Sequence, residues 1–125
     1  MATNCDIGIV EPNGKITAVY CHFDGYPGGV GAALLRNHNS EDKARALIAL
    51  GDLHSATGRV EAYHRDRGEP WENCAPVVHY TAALWGRYSA PTEFRYLWTR
   101  DGRWEYSERC PFMRTWGPWR VLECM

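Results

Sequence analysis

The sequence predicts an α+β domain: an antiparallel sheet built from an N-terminal and a C-terminal hairpin, with a helix pair packed on one face. Three observations carry this. Cys5–Val10 and Lys15–His22 are two β-favouring runs around the turn Glu11-Pro12-Asn13-Gly14. Phe94, Tyr96 and Trp98 alternate along a second run that returns through Trp104 and Tyr106 after Arg100-Asp101-Gly102. Between the two hairpins, apolar residues recur at helical spacing.

The first hairpin is assigned to 5–22. Asn-Gly accepts positive φ and Pro presets its own, so the chain reverses there. Ile7, Ile9, Ile16 and Ala18 are expected to point toward the core. Phe23 to Gly29 breaks the ladder, and Pro27 is expected in the first helical turn, where its missing N–H costs nothing. The helix pair is assigned to 29–51. Its first member runs over Val30 to Arg36. Ser40 caps the second, Glu41 and Asp42 favour its positive end, and Ala44, Leu47 and Ile48 form its apolar stripe before Gly51 stops it. Residues 52–59 read as loop, Val60 to Tyr63 as a short strand, and 64–70 as a charge cluster ended by Gly68 and Pro70. Residues 71–88 are ambiguous, with Val77 to Thr81 extended and Tyr80 to Trp85 of helical character. The second hairpin is assigned to 92–107, and the Trp- and Pro-rich tail ends in a last strand near residues 119–124.

Length and composition bound the rest. The 125 residues, 45% hydrophobic and 23% charged, fit a single domain over 1–125. A chain of this size buries roughly two-thirds of its unfolded surface and needs no metal or disulfide to fold. Its net charge of −1 lacks the basic footprint of a nucleic-acid binder, so nucleic acid is not the expected ligand. Five scattered cysteines without a CxxC pair, and no hydrophobic leader, argue for a reducing cytosol and against a zinc ribbon. Cys5 and Cys21 are expected across the hairpin from one another as small buried hydrophobes. No run approaches a membrane span. No cofactor and no metal is expected.

Four groups of residues are candidates for function. Gly25, Gly28, Gly29 and Gly31 lie between strand and helix, where backbone N–H groups can hold an anion; the spacing lacks the third glycine of a dinucleotide fingerprint. His22 and Asp24, two apart at a strand end, make a weak catalytic candidate without an obvious nucleophile, and capping of the turn is the plainer alternative. His64, Arg65, Arg67 and Trp71 have the composition of an interface hot spot; Arg65 and Arg67 share one face if extended, or pair with Asp66, Glu69 and Glu61 as a solvated network. The aromatic face of the second hairpin offers stacking surface, though such a stripe is more often core.

The stretches Ile7-Gly8-Ile9, Val19-Tyr20-Cys21-His22-Phe23-Asp24-Gly25-Tyr26-Pro27, Val30-Gly31 and Leu34-Leu35 resemble a widespread family of small phage and prophage proteins. So do Ala46-Leu47-Ile48, Leu50-Gly51-Asp52, the run from Ala62 to Glu69, and Asp101-Gly102-Arg103-Trp104. The resemblance covers residues 5–106. Members carry Trp in place of Phe23, and polar or charged residues in place of Gly28 and Gly29. The family has no settled activity. The resemblance implies an accessory protein in the host cytoplasm that binds and blocks a host protein, in its best-defined version an anti-defence inhibitor such as an anti-CRISPR protein. The partner-binding residues expected on that reading are His22, Asp24, Tyr26, His64, Arg65, Arg67 and Trp71. The alternatives are a binder or sponge of a small anionic ligand such as a nucleotide, at the glycine junction with Arg65 and Arg67, and a small enzyme using His22 and Asp24. Oligomeric state is left open.

Overall fold

The computed structural model describes residues 3–82, 85, 92–110, 112 and 115–123. The elements are β1 (Cys5–Val10), β2 (Ile16–Cys21), a π-helical turn (Pro27–Gly31), α1 (Ala32–Asn37), α2 (Glu41–Ile48), β3 (Leu53–Ser55), β4 (Glu61–Ala62), α3 (Tyr63–Arg67), α4 (Trp71–Cys74), β5 (Val77–His79), β6 (Phe94–Trp98), β7 (Trp104–Glu108) and β8 (Arg120–Val121). Both expected hairpins and the helix pair are present, and the class is α+β.

One sheet runs β4-β3-β2-β1-β6-β7-β8, and β5 pairs with β2. The hairpins β1–β2 and β6–β7 are antiparallel. They join in parallel, β1 beside β6, with Ile7 opposite Tyr96 and Ile9 opposite Trp98. The pairing of β2 with β3 is also parallel, so the sheet is mixed, with antiparallel hairpins as its units. Parallel neighbours need a long crossover; everything from β2 to β5 supplies it between β1 and β6.

Both faces of the central strands are covered, and this separates residues expected on one side. Ile7 and Ile9 face the helices, with Val19, Leu34, Ala44, Leu47, Ile48, Tyr96, Trp98 and Trp104. Ile16 and Ala18 face the other way, with Leu97 and Trp85. All four expected residues are buried, but in opposite layers, because the register sets Ile16 against Val10 and Ala18 against Gly8. The aromatic stripe of the second hairpin is core: Tyr96, Trp98 and Trp104 are all buried. Cys5 and Cys21 are register partners, both buried and both free thiols.

Local rules account for the helices. The Ser40 side chain accepts from the backbone N–H of Lys43 at 3.2 Å, so α2 begins where the cap requires. Residues 64–67, read from the sequence only as part of a charge cluster, lie in the single turn of α3, closed by Gly68 in the left-handed region. The ambiguous region resolves into α4 and β5, and the Trp85 N–H bonds to the Thr81 carbonyl at 3.0 Å. The expected helical character of Tyr80 to Trp85, and the region out to 88, fall partly outside the described residues. The expected last strand is the short β8.

Candidate functional site

The stretch from Tyr20 to Pro27 forms a corner at the end of β2. Two glycines make it possible. A Cβ on Gly25 would meet the Asn4 backbone at 2.8 Å, and one on Gly29 would meet the Asp24 carbonyl oxygen at 2.4 Å. That carbonyl accepts from the Val30 N–H at 2.7 Å, and Asp24 itself lies at φ +59°. The buried Tyr96 hydroxyl donates to the Gly25 carbonyl at 2.7 Å, tying the corner to β6. Pro27 stands in the first helical turn as expected, and that turn is π-helical. Such turns are rare and recur near functional sites.

On the outside of this corner the chain continues beside β3. The His22 N–H bonds to the Leu53 carbonyl at 3.0 Å and the Phe23 N–H to the His54 carbonyl at 3.2 Å. This register brings together rings that are far apart in sequence. Phe23 meets His22 edge-on at a centroid distance of 4.6 Å and His54 at 4.8 Å. His22 and His54 stack at 6.0 Å, and His54 meets Tyr63 at 5.6 Å. Phe23 remains 37% exposed. The result is an aromatic and imidazole stripe across the ends of β2, β3 and β4.

Hydrogen bonding orients the His22 imidazole. Asn4 Nδ2 donates to the Tyr20 hydroxyl at 3.2 Å, and that hydroxyl lies 2.7 Å from His22 Nδ1. With the hydroxyl donating to Nδ1, the remaining proton of neutral His22 sits on Nε2. Asp24 does not touch this ring: its Oδ2 accepts from the Thr57 hydroxyl at 3.2 Å. The weak candidate dyad of His22 and Asp24 is therefore not formed, and the residue that fixes His22 is Tyr20. His54 Nδ1 is buried without a hydrogen bond, 3.7 Å from Glu61 Oε2. Glu61 is instead held by Arg67 Nε at 2.7 Å, which keeps its carboxyl below the ordinary range.

Through Glu61 the stripe reaches one of the expected arginines but not the other. Arg65 grips Asp66 at 2.8 Å and donates to the Val60 carbonyl at 2.8 Å. The Arg65 guanidinium, with the Ala62 N–H, holds the Asp66 carboxyl down to about 2. The helical turn of α3 sends Arg65 and Arg67 to different carboxylates, so they do not present paired forks to one ligand. The expected pairing of these arginines with Asp66 and Glu61 is formed, while Glu69 accepts from Asn73 instead. His64 donates from Nδ1 to the Glu69 carbonyl at 2.8 Å and meets Trp71 edge-on at 5.2 Å, a second exposed pair. Tyr26 is exposed beside Gly28.

Phe23, His54, Glu61 and Tyr63 complete the site and were not expected in it. The signal for His54 was the alternation of Leu53, His54 and Ser55, too short to mark a strand against the surrounding Gly and Asp. No family model, curated protein or solved structure matches the chain. Among the described residues, no helix is long and apolar enough to cross a membrane, and no cluster of His, Cys, Asp and Glu is arranged to hold a metal ion.

Proposed function

We propose that the chain is a phage or prophage accessory protein that binds a host protein and occludes it, as an anti-defence inhibitor of the anti-CRISPR kind would. The observation that carries the binding reading is the Phe23 ring, exposed yet braced between His22 and His54. A ring already held in place loses little freedom on binding. Around it lie Tyr63, the Arg67–Glu61 pair and the Arg65–Asp66 pair, a polar rim about an aromatic centre such as interfaces use. The family resemblance of the Tyr20–Pro27 stretch supports the phage origin and the choice of a host protein as partner.

The test has two readouts. The tagged chain should retain a specific partner from host lysate, and its expression should raise plaque formation on a defended host. Phe23→Ala should lower affinity by about 1–2 kcal/mol, roughly five- to thirtyfold, and reduce plaque formation in step, with an unchanged circular dichroism spectrum. Equal capture and equal plaque counts for parent and variant would remove this surface from the interface.

A further inference from the structure

We propose that a second site, the cleft between the π-helical turn with α1 on one side and β7–β8 on the other, binds a small zwitterion with an apolar body. A short apolar peptide and a free hydrophobic amino acid share that chemistry.

The cleft has a volume of about 640 Å³, within the range of small-molecule sites. Pro27, Ala32 and Leu35 form one wall; Tyr106, Val121 and Leu122 form the other. The β7–β8 wall is fixed from behind. Tyr106 stacks on Tyr96 at 6.3 Å, and Tyr96 is anchored to the Gly25 carbonyl. The Leu122 N–H bonds to the Trp104 carbonyl at 3.0 Å. An apolar body entering here meets a surface that needs little ordering.

Charge selects the ends of the ligand. Arg36, in the last turn of α1, lines one wall, and Glu123 lines the other. Both are exposed, and neither forms an ion pair among the described residues. Elsewhere Arg45, Arg65, Arg67, Arg100 and Arg103 each have a carboxylate at 2.7 to 3.7 Å. Arg36 and Glu123 instead flank an apolar cleft from opposite walls without neutralising one another. A carboxylate at Arg36 and an ammonium at Glu123 would each gain a charge-assisted hydrogen bond while the side chain covers Leu35, Tyr106 and Leu122. The sequence expectation of an anion near the glycine junction thereby changes its cation. Arg65 and Arg67 do not line this cleft, and Arg36 does.

The test is an NMR titration of the full chain, labelled with nitrogen-15, using leucyl-phenylalanine, its N-acetyl and C-amide derivatives, the doubly capped form, and free leucine. The dipeptide should shift amides of residues 28–36, 106 and 121–123 in a saturable way. Capping either end should weaken binding about tenfold or more, and Arg36→Gln or Glu123→Gln should do the same. Leucine binding as tightly as the dipeptide would support the site with a free amino acid as its ligand. No saturable shift at millimolar peptide would overturn the proposal, as would equal affinity for the doubly capped form. Shifts confined to residues 22–23 and 54 would overturn it too, placing the ligand on the Phe23 surface.

Discussion

Asp6 and Arg95 are partners in the parallel register of β1 and β6, both buried, yet they form no ion pair. Asp6 accepts instead from the Thr92 hydroxyl at 3.1 Å, and burial raises its carboxyl to about 7. The folded state therefore holds a proton that the unfolded chain releases near 3.8. Stability from this group is full below the unfolded value and is lost as pH rises from there through about 7. The expected loss across that window is on the order of 2–4 kcal/mol. Asp6→Asn should flatten it, and urea denaturation at pH 4.5 and pH 8 would show whether the parent alone is weakened at the higher pH. Tyr96→Phe tests a second buried group. It leaves the Gly25 carbonyl without its side-chain donor, and urea denaturation should show a loss of about 1–2 kcal/mol; an unchanged midpoint would mean that the corner holds without that bond.

Elements differ in how openly the sequence declares them. Phe94, Tyr96 and Trp98 alternate over a run long enough to mark β6, and Ser40 with Glu41 and Asp42 marks the start of α2, since cap and dipole act locally. The π-helical turn is hidden because its cause is a close approach: Gly29 is small since the Asp24 carbonyl stands where its Cβ would be. Gly29→Ala should accordingly cost about 2 kcal/mol or more, and differential scanning calorimetry would register a lower Tm; a neutral result would show that the turn can open without penalty. The same limit explains the site. His22 and the Arg67 cluster were readable as unusual compositions, whereas His54 joins them only through the pairing of β2 with β3, a contact that no local pattern encodes. The register of Ile16 and Ala18 escaped for a related reason: with both faces buried, alternation no longer points to one side.

At the scale of the whole molecule, the two layers are closed by different means. The helix layer is aliphatic and aromatic packing. The opposite layer is organised around the Arg95 guanidinium, 5.6 Å from the Trp85 ring centroid, 4.4 Å from that of Trp116 and 4.7 Å from that of Trp119. Burial lowers Arg95 to about 10, which still leaves it charged at neutral pH. One cation thus pins the C-terminal segment to the sheet. Arg95→Leu should speed amide exchange over residues 115–122 and leave β1 and β2 protected; unchanged exchange there would mean that packing alone retains the segment.

The parallel seam between β1 and β6 also sets an order of events during synthesis. The β1–β2 hairpin leaves the ribosome before the β6–β7 hairpin, but the neighbour that covers the β1 edge is residues 94–98. Until that segment emerges, one edge of β1 has no partner from its own chain and is open to pairing with other strands. The central strand of the finished sheet is thus made well before the strand that encloses it, and a nascent chain halted before β6 would carry an unprotected edge.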